Sequence, residues 1–172
     1  PPGRHPVKTY VVGSHMLQRI FRFMKKEMES GHQAYVVCPL VEQSEKQDLA
    51  AAVSVYENLR DHVFPQFGVG LVHGRMKNAE KEQVMEDFRK GKFKLLVATS
   101  VIEVGVNVPD ATVMFVYGAD RFGLSQIHQL RGRVGRGKEQ AYCVLYTDNQ
   151  NETTQLRMKL MCEIRDGALL AE

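Results

Sequence analysis

The chain has 172 residues, of which 44% are hydrophobic and 25% charged, which suits one globular domain with a sizeable core. Its net charge of +3 permits a polyanionic partner without requiring one, so any nucleic-acid surface must be local. No apolar run is long enough to cross a bilayer and no signal peptide opens the chain, which favours a soluble, intracellular protein without a membrane partner. Cys38, Cys143 and Cys162 show no CxxC spacing and are interpreted as core residues, so no metal site is expected.

Apolar runs and helical spacings alternate along the chain. Residues 1–6 are rich in proline and are interpreted as a linker. Strands are predicted over residues 7–12, 33–39, 68–72, 93–98, 113–117 and 141–146. Helices are predicted from Ser14 to Gly31, from Asp48 to Leu59, from Asn78 to Gly91, just before Gln129, and from Thr153 to Arg165. The alternation predicts a three-layer α/β domain with a mainly parallel central sheet and right-handed crossovers.

Helix boundaries and faces follow from individual residues. Ser14 and Asp48 are the predicted N-caps of the first two helices, because short polar side chains accept hydrogen bonds from free amides at that position. In the last helix, Leu156, Leu160 and Ile164 are spaced as a buried apolar face, and Gly167 would end it.

Three segments are expected to meet at the carboxyl edge of the sheet, where open α/β sheets bind ligands. They are residues 73–76, 99–109 and 129–136. In the third, arginine guanidinium groups that can fork onto phosphate oxygens stand among glycines that allow close backbone approach. A solvated basic turn is the alternative interpretation of this segment, and a simple turn histidine is the alternative for His73.

The order of these segments carries a resemblance. Residues 98–109 followed by residues 129–136 resemble motifs V and VI of superfamily 2 helicases. Residues 1–4, 37–40, 73–77, 121–124 and 128–136 are similar, more closely, to the second motor lobe of RecG-type DNA translocases. The resemblance extends over nearly the whole chain.

The resemblance implies a RecA-like (P-loop NTPase-like) lobe over residues 7–150, with residues 151–172 forming a C-terminal helix and the start of a following segment that is cut short. Such a lobe pairs with an N-terminal motor lobe of the same polypeptide and holds ATP and Mg²⁺ between the two. It moves along duplex DNA and remodels branched structures, such as stalled forks and Holliday junctions, in recombination and repair. A cytoplasmic bacterial protein associated with the nucleoid is implied.

The resemblance also implies roles for single residues. Arg133 and Arg136 would reach the ATP γ-phosphate, and Gln129 would sense the nucleotide state. Cofactor contacts fall on Glu103, Gly105 and Asn107, and nucleic-acid contacts on His73, Arg75 and Thr99. Asn107 departs from the family pattern, which usually has Asp there, so its ribose contact would lack the strengthening charge.

No G-x-x-x-x-G-K-[ST] loop occurs in the 172 residues, so the phosphate cradle and the Mg²⁺ ligands are expected on the other lobe and this chain alone is expected to be inactive. Two alternatives stay open: the corresponding lobe of a transcription-repair coupling translocase, and a non-catalytic nucleic-acid-binding module. A Rossmann-type enzyme is disfavoured, because no G-x-G-x-x-G follows the first strand.

Overall fold

The computed structural model of the chain describes residues 6–40, 45–99 and 107–163. Its strands form one six-stranded sheet in the order β1-β6-β5-β2-β4-β3, and every neighbouring pair is parallel. The strands are β1 Lys8–Val12, β2 Gln33–Val37, β3 Val69–Val72, β4 Leu95–Ala98, β5 Ala111–Val116 and β6 Tyr142–Tyr146. The helices are α1 Leu17–Glu29, α2 Glu45–Asn58, α3 Asn78–Arg89, α4 Leu124–Arg131 and α5 Glu152–Glu163.

The helices cover the sheet on both faces. One face packs against α1 and α2 through residues such as Phe21 and Ala52. The opposite face packs against α3, α4 and α5 through residues such as Phe88, Ile127 and Met158. Because both faces are covered, the central strands are buried along their whole length and read as continuous apolar runs. The three-layer α/β architecture expected from the sequence is confirmed.

The predicted N-caps of the first two helices are wrong. Ser14 opens a short 3-10 turn, Ser14–Met16, and α1 begins only after it, without a side-chain cap. Asp48 lies one turn inside α2, because that helix begins at Glu45. The carboxylate of Asp48 is buried and pairs with the guanidinium of Arg121 at 2.8 Å. A tertiary ion pair, rather than helix capping, explains the aspartate at this position.

The predicted inner face of the last helix is also wrong. Met158 and Met161 are the buried residues of α5, at 0% and 1% exposure. Leu156 and Leu160 are 59% and 48% exposed on the other side of the helix. Ile164 and Gly167, which completed the prediction, lie outside the described residues. Methionine and leucine fit either face by hydropathy, so only packing against the sheet decides which face is buried.

No helix in the described ranges is long and apolar enough to span a membrane.

Exchanging Met161 and Leu160 for alanine one at a time tests which face of α5 is buried. Met161→Ala is expected to lower the free energy of unfolding of the 172-residue chain by about 2–5 kcal/mol, because it leaves a cavity. Leu160→Ala is expected to change it by less than about 1 kcal/mol. Urea unfolding measures both variants, and equal losses would contradict this orientation of α5.

Candidate functional site

Helix α4 brings the arginine-rich segment into place. The amide of Gly123 donates to Oε1 of Gln126 at 2.9 Å, which satisfies a free backbone group at the helix start. Ile127 and Leu130 are buried against the sheet, at 1% and 0% exposure. Gln129 lies on the outer side and is exposed. The helix is therefore fixed by its apolar side, while the side that carries Gln129 stays open to a ligand.

The turn after α4 holds the two arginines of the prediction. Val134 is fully buried, and Gly135 takes a φ of +80°, which favours glycine. Nε of Arg136 donates to the carbonyl oxygen of Gly132 at 2.8 Å. Arg136 is exposed, and its terminal nitrogens keep donors for a phosphate. The buried Val134 anchors the turn, and the guanidinium of Arg136 is held by a backbone carbonyl of the same turn.

This turn lies at the amino edge of the sheet, not at the carboxyl edge as expected from the sequence. A Cβ atom on Gly135 would lie 3.3 Å from Val7 and 3.4 Å from Ala141, the residues just before β1 and β6. A Cβ on Gly137 would lie 2.9 Å from the carbonyl oxygen of Pro109, just before β5. The reason is the crossover, because α4 must carry the chain back to the start of the next parallel strand.

One of the predicted cofactor-binding residues lies beside this turn. Asn107 is exposed and stands two residues before Pro109, which the turn approaches at Gly137. Glu103 and Gly105, the other two, lie outside the described residues. Thr99 follows β4 at the carboxyl edge, whereas Asn107 precedes β5 at the amino edge, because these strands run parallel in the same sheet. The structure thus places Asn107 at the amino edge, like the turn that carries Arg133 and Arg136, and Thr99 at the carboxyl edge.

Arg133 acts electrostatically on the middle of the sheet. Burial raises the pKa of the Tyr35 hydroxyl, and the positive charge of Arg133 opposes that rise. Tyr35 packs against Phe88 of α3, with ring centroids 5.2 Å apart. Arg133 is half-exposed. The positive charge of Arg133 therefore influences groups on the sheet face that α3 and α4 cover.

The predicted nucleic-acid contacts lie at the carboxyl edge. His73 and Thr99 directly follow Val72 and Ala98, which are paired in neighbouring strands, so the two residues lie side by side. Thr99 is 1% exposed, and its hydroxyl has no hydrogen-bond partner among the described residues. A buried hydroxyl without a partner costs stability, which makes Thr99 a candidate for a ligand contact.

The His73–Met76 turn next to Thr99 is internally bonded. The amide of Arg75 donates to Nδ1 of His73 at 3.2 Å. Nε of Arg75 donates to Oε1 of Glu45 at 3.1 Å, and both side chains are exposed. An exposed ion pair of this kind is weak, so Arg75 can exchange it for a phosphate at small cost.

A cavity of about 370 Å³ opens at the carboxyl ends of β2, β5 and β6. Among the described residues, its lining includes the acids Asp48, Asp120 and Asp148 and one cation, Arg121. Burial raises the pKa of Cys38, which forms part of the lining, to about 12. An apolar, acidic cavity does not suit a phosphate, so Thr99 and His73 are the better candidates for a phosphate contact at this edge.

The residues whose hydrogen bonds hold the segment before α4 in place were not predicted from the sequence. The guanidinium of Arg157 on α5 donates to the carbonyl oxygen of Asp120 at 3.0 Å and also to that of Phe122. The carboxylate of Asp120 accepts from the hydroxyl of Thr147 at 2.7 Å. Arg131, at the end of α4, is buried. Burial raises the pKa of Cys162 on α5, and the positive charge of Arg131 opposes that rise. No local pattern marks these partners, because each bond joins distant parts of the chain.

An all-parallel sheet with this strand order, and with an arginine turn at the end of a crossover helix, defines a RecA-like lobe of the helicase type. The family described as the helicase conserved C-terminal domain matches residues 14–138, and the chain belongs to this family.

The similarity to RecG expected from the sequence is confirmed. The chain is 51% identical over 172 residues to the ATP-dependent DNA helicase RecG of Bacillus subtilis (strain 168), and it covers 25% of that protein. A structure of RecG bound to a three-way DNA junction matches with a TM-score of 0.83 at 41% identity, over 99% of this chain and 22% of that one. The chain thus spans about a quarter of the length of such relatives.

More distant structures share the fold alone. Dbp5 of S. cerevisiae, in a structure with RNA and ADP BeF3, matches with a TM-score of 0.66 over 95% of this chain and 40% of that one. Its identity to this chain is only 14%.

Gly137→Ala tests the contact that places the arginine turn. Its new Cβ would meet the Pro109 carbonyl at 2.9 Å, so the turn must shift, and we expect a loss of about 1–3 kcal/mol in the free energy of unfolding. Amide NMR signals near Pro109 and Arg136 should move. Gly123→Ala is the control, because its Cβ meets nothing closer than Gln126 at 3.7 Å. Equal effects of the two substitutions would contradict the contact.

Proposed function

We propose that this chain is the second motor lobe of a RecG-type ATP-dependent helicase that remodels branched DNA, and that its parent polypeptide supplies the first lobe. The proposal is supported by the identity of 51% to a protein of that name over the whole chain. The parent would work on the bacterial chromosome, in the cytoplasm. ATP would lie between the two lobes, with DNA held across both.

The observation that carries the proposal is the separation of two surfaces. The arginine turn and Asn107 lie at the amino edge of the sheet, while Thr99 and His73 lie at the carboxyl edge. Strand β4 spans four residues, so the two edges are about 13 Å apart. A lobe that couples ATP hydrolysis to movement along DNA needs a separate contact surface for each ligand, and a rigid element must join the two surfaces. Here the central strands of the sheet, which are buried along their length, run from one edge to the other.

The residues at the amino edge fit a nucleotide phosphate tail. Arg136 is exposed on a turn that packs against the start of the sheet at Gly135 and Gly137, and Arg133 adds a second positive charge. Guanidinium groups would stabilise the charge that develops on the transferred phosphoryl group. To reach it, Arg136 would exchange its bond to the carbonyl oxygen of Gly132 for a phosphate oxygen. The contact costs little to break, because the carbonyl can bond to water instead.

Magnesium would be held by the other lobe. Within the described residues, no group of three or more His, Cys, Asp or Glu side chains is placed to hold a metal ion. A triphosphate bound at the amino edge of this chain would meet the positive charges of Arg133 and Arg136.

Arg136→Ala in the parent protein is expected to lower kcat for ATP hydrolysis by about 10³-fold or more, with DNA affinity retained. Arg136→Lys should not restore turnover, because an ammonium group lacks the planar fork. Lys138→Ala is the matched control, since it removes an exposed positive charge two residues further along. Equal losses in turnover and DNA binding would make Arg136 a DNA anchor instead.

Thr99→Val tests the surface at the other edge. The substitution removes the hydroxyl but keeps the side-chain volume. The DNA concentration that half-maximally stimulates ATP hydrolysis should therefore rise several-fold, which corresponds to the loss of about one hydrogen bond. Turnover at saturating DNA should be close to that of the unchanged protein. Thr112→Val is the control, because Thr112 is also buried but its hydroxyl donates to Glu27 at 2.7 Å. Unchanged DNA dependence of Thr99→Val would remove Thr99 from the DNA surface.

The 172-residue chain by itself is expected to hydrolyse no ATP, with or without DNA, because it lacks the phosphate-cradling loop. Phosphate release from the purified chain, compared with the parent protein at equal concentration, measures this. Appreciable turnover by the chain alone would contradict the assignment of the cradle to the other lobe.

A further inference from the structure

Helix α1 exposes a surface of positively charged side chains, here called the basic face of α1. It consists of Arg19, Arg22, Lys25 and Lys26. The helix also has two acids, but Glu27 is half-buried and accepts from the hydroxyl of Thr112 at 2.7 Å, which leaves Glu29 exposed. Four cations against two acids give this 13-residue helix a net charge of +2, whereas the whole chain has a net charge of +3. Much of the excess positive charge of the chain is therefore concentrated on one helix.

The cations of the basic face form no ion pair with an acid among the described residues. Several other exposed cations do have an acid partner. Arg75 pairs with Glu45 at 3.1 Å, and Lys92 pairs with Asp87 at 3.3 Å. The guanidinium and ammonium groups of the basic face therefore keep their donors for another acceptor, and phosphate oxygens suit both groups.

The arrangement of these charges does not stabilise the helix itself. Arg19 lies in the first turn of α1, where a positive charge opposes the helix dipole, and that turn contains no acid to compensate. Arg22 and Lys26 are four residues apart, so two like charges are neighbours on the same side of the helix. A bound polyanion would offset both unfavourable effects.

The basic face offers no apolar side chain to a protein partner or a membrane. The most deeply buried side chains of α1 are Phe21, Met24 and Met28, which pack against the sheet. The exposed large hydrophobic residues of the described ranges all lie on other elements: Tyr10, Leu124, Leu156 and Leu160. Protein interfaces depend on buried aromatic or aliphatic anchors, and interfacial membrane helices depend on an exposed apolar face. A nucleic-acid backbone, by contrast, is bound mainly through cations.

We propose that the basic face of α1 binds the phosphate backbone of DNA, as a contact surface additional to that of Thr99 and His73. Arg19 and Lys26 are about 10 Å apart along the helix, a length over which duplex DNA presents about six phosphates. Several of the four cations can therefore bind phosphates at once. The inference rests on the proposed DNA-binding function and adds a second surface to it.

The two surfaces are separate in the fold. Phe23 of α1 packs against Tyr142 of β6, with ring centroids 4.8 Å apart. Strands β5 and β2 lie between β6 and β4, the strand that Thr99 follows, so β6 and β4 are about 14 Å apart. The acidic cavity opens at the carboxyl ends of β2, β5 and β6. Its carboxylates would repel a phosphate backbone, so the basic face of α1 binds a different stretch of DNA from the one at Thr99.

The salt dependence of DNA binding tests this surface in the parent protein. Each phosphate contact makes the fall of log affinity with log salt concentration steeper by about 0.9. The triple substitution Arg19→Gln, Arg22→Gln and Lys26→Gln should therefore make the slope for a three-way DNA junction shallower by about 2–3. The matched control is Arg89→Gln, Lys90→Gln and Lys92→Gln, which removes the same charge from cations that pair with acids, and should leave the slope unchanged.

An unchanged slope in the α1 variant, or an equal change in the control, would overturn the inference. The unsubstituted parent is measured alongside for DNA-stimulated ATP hydrolysis. If the parent has that activity and the slope of the α1 variant is unchanged, the inference alone fails. A parent that neither binds DNA nor hydrolyses ATP would refute the proposed function instead.

Chemical acetylation of lysines tests the same surface without any substitution. In the parent protein, the three-way DNA junction should slow the acetylation of Lys25 and Lys26 about tenfold or more. Lys90 and Lys92 are exposed on the opposite side of the sheet and should react equally with and without DNA. Equal reactivity of Lys25 and Lys26 in both conditions would overturn the inference. Protection of these lysines before DNA is added would also overturn it, because another part of the polypeptide would then cover the basic face of α1.

Discussion

The close approach of Gly137 to the carbonyl oxygen of Pro109 is the contact on which the candidate site depends. It joins the turn after α4 to the segment just before β5, and so places Arg136 at the amino edge of the sheet, where Asn107 also lies. Only a residue without a side chain fits there, because a Cβ would stand 2.9 Å from a backbone oxygen. Val134 is buried, and Gly135 packs close to the residues just before β1 and β6, so both hold the turn in place. Arg136 is thus exposed on a turn that is packed against the sheet, which suits the fixed charge that the proposed nucleotide contact requires.

The start of α4 is also held by tertiary contacts, but these come from a different part of the chain. Arg157 of α5 binds two carbonyl groups of the segment that enters α4, and Asp120 in that segment binds Thr147 after β6. Helix α5 and the segment after β6 thus hold the residues from which α4 begins.

The fold and the motifs could be read from the sequence, whereas the packing around them could not. Continuous apolar runs such as residues 33–37 and 111–116 indicate buried parallel strands, and the alternation with helices determines the layers. The prediction that the arginine turn lies at the carboxyl edge of the sheet was wrong. The sequence pattern shows that a helix follows β5, but not that this helix carries the chain back to the amino edge before the arginines are reached. Asp48 and Leu156 were misread for a similar reason. An aspartate suits a cap or an ion pair, and a leucine suits a buried or an exposed position, until the neighbouring elements are known.

The most direct measurement is a structure of the parent protein with DNA, ADP and beryllium fluoride, which stands in for the γ-phosphate. We expect Arg136 to have left the carbonyl oxygen of Gly132 and to donate to the fluoride group, while Thr99 faces a DNA phosphate at the other edge. An Arg136 that stays on Gly132, or that contacts DNA in place of the nucleotide, would contradict the account.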